Sequence, residues 1–562
     1  KAFIGKEVIV PIINRKIPII ADEYVTAEFG TGALKITPAH DKNDNMLGAK
    51  HHLKSIDTLD LTGKFTIDEL LEDNPSEQVK GYVGIDRFVL RKKIAEDIAA
   101  LAQIEKTEEY KSQVGTSERT GAVIENKLSM QWFIDMKKFM EKNPQVLTSV
   151  MDDSISFHPP KTKNTYKHWL ENIKDWCISR QLWWGQRIPA WYDEEGNVYV
   201  AESEEEAMSQ KLRAESNAGS QLNAHNPRLF QDEDVLDTWF SSWLWPMEVF
   251  KGISHPGNKE ASYYYPSTTL VTGQDIIFFW VARMIMAGYE YEDGQPFKDV
   301  YFTGMVRDKQ GRKMSKQLGN SPDLLGLIDT YGADAVRFGI MVSSPAGNDL
   351  MFDEAALEQG RNFNNKLWNA LKLLKMWQAR QAAGGNPEPG STVIDNSQFT
   401  IDWFTNRLNE VKAEVENLMK QFRLSEALKT IYSLIWDDFC SWYLEWVKPG
   451  FEQPIDAAVY NKTVAFFEEL LQLLHPYMPF ITEEIFHQLR EQKTDLCTVQ
   501  YRTAAAADKD ILQQGELLKN VITNLRDARN KNQLKPKETI KLHIETATAS
   551  RYQAIESILL KQ

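Results

Sequence analysis

Three hydrophobic patterns divide the chain. From Val8 to His40 short apolar runs, VIVPIIN, KIPIIA and ALKITPA, are broken by Pro, Gly and Asn-Arg turn signals, which predicts a β-rich module. Ile85, Phe88, Val89, Ile94, Ile98 and Leu101 then recur at roughly i, i+3 or i+4 and predict a helix over Asp86–Leu101. After Met130 an aromatic-rich, helix-leaning stretch runs to Trp191, and residues 202–224, rich in Glu, Ala, Ser and Asn, read as a solvated insertion without chemistry.

Residues 268–345 follow another grammar. A strand over Thr268–Thr272 meets Gly273-Gln274-Asp275 and an apolar helix; a second strand over Val300–Thr303 meets a Gly- and Lys-rich loop; a further helix is opened by Ser321 with Pro322 at its first position. Strand, helix, strand, loop, helix predicts a parallel α/β sheet, and such sheets bind ligands at the carboxyl ends of their strands. The Gly273 turn and the Lys-rich loop are both placed at that edge. Beyond a Gly- and Pro-rich linker over 382–397, amphipathic segments around Trp403–Phe422, Leu424–Val447, Val459–Leu474 and Ile481–Arg490 predict a helix bundle.

Composition narrows the classes. With 562 residues the chain is multidomain, and a formal charge of −14 excludes indiscriminate adhesion to polyanions, so contact with nucleic acid would rest on local basic patches. Cys177, Cys440 and Cys497 have neither disulfide nor metal-knuckle spacing and fit a reducing compartment. The longest apolar run, near Ile276–Ala282, is far short of the ~20 residues that span a bilayer. A cytoplasmic location with no membrane contact is expected.

Gly311-Arg312-Lys313-Met314-Ser315-Lys316-Gln317-Leu318-Gly319-Asn320 places two lysines three apart between glycines. Two ammonium groups on one mobile loop suit the charge that develops on a transferring polyphosphate, and a solvated basic turn is the other reading of that spacing. The longer context distinguishes them. Lys313-Met314-Ser315-Lys316-Gln317 resembles the lysine signature loop of class I aminoacyl-tRNA synthetases, with Gln317 where Ser is usual. Asp308, the Leu318-Gly319-Asn320-Ser321-Pro322 run, Tyr331–Phe338, Asp175–Pro189 and Asp237–Ser242 resemble that family's branch for large aliphatic amino acids. Leu182-Trp183-Trp184-Gly185, Asp275–Trp280 and Ser343–Asp349 resemble its valine-specific subfamily more than the isoleucine- or leucine-specific ones.

The resemblance implies an ATP-dependent ligase that activates valine as an adenylate and transfers it to tRNA(Val), with Mg2+ accompanying ATP. It assigns Lys316 to the ATP phosphates and the leaving pyrophosphate, with Lys313 and Ser315 assisting and Met314 beside the nucleotide. Gly273, Gln274 and Asp275 approach the adenosine and its ribose, and Trp184 and Trp239 wall the valine pocket. Positioning supplies most of the catalysis, because the amino acid's own carboxylate is the nucleophile.

An apolar pocket rejects the added hydroxyl of threonine by only ~10²-fold, a magnitude established on valine-specific enzymes themselves. Gly30–Asp44, GTGALKITPAHDKND, resembles a core motif of the family's editing domain. By that resemblance Asp44 holds the α-amino group of mischarged threonine, Lys35 and Thr37 line the site, and Asp41 orients substrate or water. His40 either touches substrate or is structural. In the C-terminal bundle, Lys519–Lys541 carries seven basic residues against two acidic ones, so Arg526, Arg529 and Lys531 are candidates for tRNA phosphate contacts. Trp403, Trp436, Trp442 and Trp446 are expected in the core.

The fold class implied is multidomain α/β: a partial β-rich editing domain over 1–140, the C-terminal half of a Rossmann-like parallel catalytic domain over 141–345 with an insertion at 193–230, a connecting helical region and linker over 346–395, a helical anticodon-binding bundle over 396–545, and the start of a C-terminal extension over 546–562. Neither His-x-Gly-His nor the Thr-rich editing strand occurs in the sequence, so the chain is expected to begin inside the editing domain and to be inactive in aminoacylation alone. Segments where relatives carry Cys pairs have none, so no metal site and no structural zinc are expected, nor is an obligate protein partner. An isoleucine-specific enzyme and a non-catalytic tRNA-binding module are the alternatives.

Overall fold

The computed structural model describes residues 2–26, 28, 30–109, 111–117, 120–217, 228–315, 318–344, 347–384, 393–450, 452–535, 538–546, 548–553 and 555–560. The chain divides into two compact units, Lys1–Trp132 and Phe133–Gln562.

In the first unit the strands Glu7–Val10 and Arg15–Pro18 form an antiparallel hairpin with Val8 opposite Ile17. The third expected β-run, Ala33–Ala39, forms no strand, because the Thr37 N–H is taken by the Asp44 carboxylate at 2.7 Å instead of by a neighbouring strand. Asp44 lies on the helix Lys42–Lys50, which Asp41 caps by accepting the N–H groups of Asn43 and Asp44. The expected helix is found over Arg87–Ala100 with Asp86 as its cap, but only Leu90 is buried along it.

The second unit is built on a three-stranded parallel sheet, Ser267–Gly273 beside Phe297–Thr303 beside Ser156–His158, with Leu270 opposite Val300 and Val300 opposite Phe157. Phe157, Val300 and Phe302 bury their side chains in a core shared with Val281, Met284 and Ile285. The first strand runs into a 3-10 turn over Gln274–Ile276, a π-helical turn over Ile277–Ala282 and the α-helix Arg283–Tyr291. The helix after the Lys-rich loop starts at Leu324, not at Pro322, because Asp323 rather than Ser321 accepts the capping N–H, from Gly326.

Residues 204–217 are a helix and not merely a solvated insertion: Ala207 is fully buried against a small core containing Trp191 and Tyr199, and Lys211 is buried at 2.8 Å from Asp193. The expected linker is narrower than its composition indicates, since helices run to Gly384 and resume at Val393. Helices over Val393–Lys420, Leu424–Ser433, Ala457–Leu474, Pro479–Leu489 and Lys509–Lys531 pack around Phe404, Phe439, Tyr443 and Phe467. Trp403 and Trp446 are buried with ring centroids 4.8 Å apart, while Trp436 and Trp442 are half-buried at the margin. Asp334, on the helix Ala333–Val342, accepts the N–H groups of Phe480 and Ile481 and so fastens the chain leaving the sheet to the start of a bundle helix. Among the described residues no helix is long and apolar enough to cross a membrane.

Candidate active site

The two longer parallel strands end together, Gly273 opposite Thr303, so the segments leaving them emerge at one end of the sheet. The Asp275 side chain folds back over Gly273, where a Cβ would lie 2.5 Å from its Oδ1 atom. Gln274 is half-buried and Asp275 is exposed in the turn that follows. From the second strand the chain passes through Val306–Arg307, which pairs with Leu350–Met351, into the Lys-rich loop. Lys313 reaches back to the first strand's end, its Nζ lying 3.9 Å from the Asp275 Oδ2 atom, with both side chains open to solvent. An ammonium and a carboxylate, one from each strand end, thus flank a single exposed edge.

Asp308 and Asn320 hold this loop in shape, roles that their spacing in sequence does not reveal. The Asp308 carboxylate accepts the N–H groups of Gln310 and Arg312, the Arg312 Nε–H at 2.8 Å and the Asn320 amide at 2.9 Å. The Asn320 amide, then the Arg312 backbone and guanidinium, hold the Asp308 carboxyl at about 2, so it is ionised throughout the neutral range. Asn320 also accepts the Ser315 N–H at 2.9 Å and donates to the Lys313 carbonyl at 3.3 Å. Met314 donates its N–H to the Val306 carbonyl, which ties the loop to the strand before it. Arg307 pairs with Asp349 and donates to the Gly311 carbonyl. Lys316 and Gln317 lie outside the described residues.

The two tryptophans expected to wall a pocket are placed differently. Trp239, on the short helix Thr238–Ser242 capped by Asp237, is half-buried and stacks at 6.0 Å on Phe279 of the π-helical turn. Trp184 is 92% exposed, so in this conformation it encloses nothing.

In the first unit Lys35, Thr37 and Asp44 converge. Lys35 Nζ donates to Thr37 Oγ1 at 2.8 Å and lies 3.7 Å from Asp44 Oδ2, and Asp44 is buried. Asp41 is occupied as the helix cap. Both ring nitrogens of His40 are engaged: Nε2 accepts the Thr58 N–H at 3.1 Å, which assigns the proton to Nδ1, donating to the Asn126 carbonyl at 3.0 Å.

The family described as "tRNA synthetases class I (I, L, M and V)" matches residues 78–353, "Anticodon-binding domain of tRNA ligase" matches 402–544, and "Leucyl-tRNA synthetase, editing domain" matches 2–79. The chain is 53% identical over 542 residues to the valine–tRNA ligase of Phocaeicola vulgatus and 52% identical over 544 residues to that of Bacteroides thetaiotaomicron, in each case over 96% of this chain and 59% of the relative. The chain belongs to the class I tRNA synthetases. It spans about three-fifths of the length of these relatives. Among solved structures, Mycobacterium tuberculosis methionyl-tRNA synthetase in complex with methionyl-adenylate is similar at a TM-score of 0.47 and 18% identity, covering 70% of this chain and 71% of that one.

Within the synthetase's helical bundle the basic residues chosen from sequence do not form one uniform face. Arg526 lies over the Trp442 ring, its guanidinium carbon 5.3 Å from the centroid. Arg529 donates from Nη1 to the carbonyls of Lys535 and Glu538, closing the end of the helix Lys509–Lys531. Lys531 is exposed. The cysteines differ in setting: Cys177 is half-buried, Cys440 buried and Cys497 exposed. One group with potential metal-ligand atoms occurs among the described residues, Glu483, His487 and Asp495, where His487 Nε2 lies 3.1 Å from a carboxylate oxygen of each acid.

Proposed function

We propose that this protein is a valine–tRNA ligase with a hydrolytic editing activity against threonyl-tRNA(Val). The observation that carries the reading is the approach of Lys313 to Asp275 across the carboxyl edge of the parallel sheet, in a chain 53% identical to a valine–tRNA ligase. A valine carboxylate oxygen attacks the α-phosphorus of ATP, the bond to the α–β bridging oxygen breaks, and pyrophosphate leaves carrying the negative charge. Lys313 and Lys316 oppose that charge from the loop that Asp308 and Asn320 brace. Asp275 and the backbone at Gly273 and Gln274 receive the adenosine ribose, since carboxylate to ribose hydroxyl is the usual pairing at such a strand end. Met314 and Ser315 complete the nucleotide side, and Trp239 supplies apolar surface on the amino-acid side. Mg2+ bound with ATP supplies further charge neutralisation. The adenylate's acyl group then passes to the terminal ribose hydroxyl of tRNA(Val), releasing AMP, while the bundle holds the tRNA through cations such as Arg526 and Lys531.

At the editing site Asp44 is the anionic acceptor for the α-ammonium of mischarged threonine, and Lys35 with Thr37 faces its hydroxyl or the ribose. Separation of the two sites is the test. In the full-length protein Lys316→Ala is expected to cripple valine-dependent pyrophosphate exchange and spare deacylation of threonyl-tRNA(Val), and Asp44→Ala to do the reverse. Exchange near wild type in Lys316→Ala overturns the assignment.

A further inference from the structure

Asp237 and Arg283 are both more than nine-tenths buried, beside the residues assigned to substrate but outside that set. Asp237 Oδ2 accepts the Trp176 indole N–H at 2.9 Å and pairs with Arg180 at 3.0 Å, while Oδ1 accepts the Trp239 N–H at 3.2 Å. Arg283 packs its guanidinium on the Trp176 face, 3.7 Å from the ring centroid. Its Nη1 lies 3.6 Å from Asp237 Oδ2, is enclosed, and has no hydrogen-bond partner. Two guanidinium groups therefore share one buried carboxylate. Burial pulls the Arg283 group down to about 10, partly offset by Asp237, so it stays charged near neutrality.

An enclosed cation with an unsatisfied N–H is a costly way to fill space that a Met or Leu would fill without penalty. Its position supplies a reason. Arg283 ends the segment that begins with Gly273 and Asp275 at the nucleotide edge, and the π-helical turn between them shifts the register of the helix that follows. That same turn carries Phe279, on which Trp239 stacks. The nucleotide-side segment and the Trp239 helix thus meet three times: ring on ring, Arg283 on Asp237, and through the Trp280 indole N–H donated to the Ser242 carbonyl at 3.0 Å.

We infer that Arg283 and Asp237 are a positioning pair that seats Trp239 relative to the nucleotide edge and thereby sets the preference for valine over threonine in activation. The inference rests on the valine-activating reading and goes beyond it, because neither residue touches substrate. Cation-on-ring packing and the carboxylate cap fix the rotation of the short Thr238–Ser242 helix at its start, while the Trp280 N–H on the Ser242 carbonyl holds its end.

The test uses Arg283→Met and Arg283→Lys in the full-length protein, with KM for valine, KM for ATP and the valine-to-threonine ratio of kcat/KM measured by pyrophosphate exchange, alongside melting temperature. Loss of the planar cation is expected to raise KM for valine by about 10- to 100-fold and lower the ratio, while KM for ATP moves by less than about threefold. Lys, which keeps the charge without the flat stacking surface, is expected to lie between wild type and Met. Unchanged KM for valine and unchanged ratio in a folded variant overturn the inference, as does a rise in both KM values together, which marks general damage. If Arg283→Met does not fold, the same criteria are read from Arg283→Lys. A wild-type protein that activates isoleucine in place of valine refutes the function while the positioning pair is then judged on KM for isoleucine.

Discussion

Replacing Asn320 by Ala removes the clasp across the Lys-rich loop without touching either lysine. Three hydrogen bonds go with the side chain: from the Ser315 N–H at 2.9 Å, to Asp308 at 2.9 Å and to the Lys313 carbonyl at 3.3 Å. At about 1 kcal/mol net each, discounted for partial exposure, the braced loop loses roughly 2–3 kcal/mol against its unbraced alternatives. A tenfold rate change corresponds to about 1.4 kcal/mol, so kcat/KM for ATP in valine-dependent pyrophosphate exchange is expected to fall roughly 30- to 150-fold. KM for valine should hardly move, since Asn320 braces the nucleotide side, and deacylation should be untouched. Asn320→Asp should lose more than Asn320→Ala, because it sets a second carboxylate against Asp308. Exchange within about threefold of wild type in a folded Asn320→Ala protein refutes the idea that this clasp holds the loop in its working shape.

Gly515→Ala should lower the melting temperature, because the new Cβ would sit 2.1 Å from Cδ1 of the buried Trp403; overpacking of this kind costs about 1–3 kcal/mol, and an unchanged melting curve contradicts the packing described. The Asp193–Lys211 pair makes the segment around residues 190–217 sensitive to pH at both extremes. Burial alone would raise the Asp193 carboxyl, but hydrogen bonds from Lys211 and Asn197 outweigh it and depress the group, so its contribution is present above its unfolded value near 3.9 and is lost as pH falls below that. Asp193 raises the Lys211 ammonium, whose contribution is complete below its unfolded value near 10.4 and is lost as pH rises through its higher folded one. Hydrogen-exchange protection factors in this segment, taken relative to the intrinsic rate at each pH, should therefore fall below about pH 4 compared with pH 6, and Lys211→Met should flatten the alkaline limb. His40→Ala should destabilise the first unit by opening the contacts to Thr58 and Asn126, measurable as a lower melting temperature.

The hydrophobic pattern was sufficient for the two longer parallel strands and the bundle helices, because Val300 and Phe302 in the sheet and Phe404, Phe439 and Phe467 in the bundle are buried by elements whose period matches their spacing, but it missed the third strand, Ser156–His158, in a stretch expected to lean helical. It failed where a side chain competed with the backbone pattern. Ala33–Ala39 has strand-like residues, yet Asp44, seven positions beyond Thr37, captures the N–H that a strand partner would need. Asp323 displaced Ser321 and Pro322 as the start of a helix in the same way. The motifs that singled out Lys313, Asp275 and Asp44 are local, and the fold brings Lys313 to Asp275 and Lys35 to Asp44. Asp308 with Asn320, and Asp237 with Arg283, were not legible, since each pair acts through contacts between segments 12 and 46 positions apart that no local pattern encodes. Arg529 shows a role that its charge alone does not announce, closing a helix end through the Glu538 carbonyl.

Pyrophosphate exchange by the full-length protein with valine and with isoleucine, in parallel with Lys313→Ala, tests the central claim most directly. A higher kcat/KM for valine than for isoleucine, and a marked loss in the lysine variant, are the predicted results; preference for isoleucine, or exchange that is indifferent to Lys313, contradicts the account.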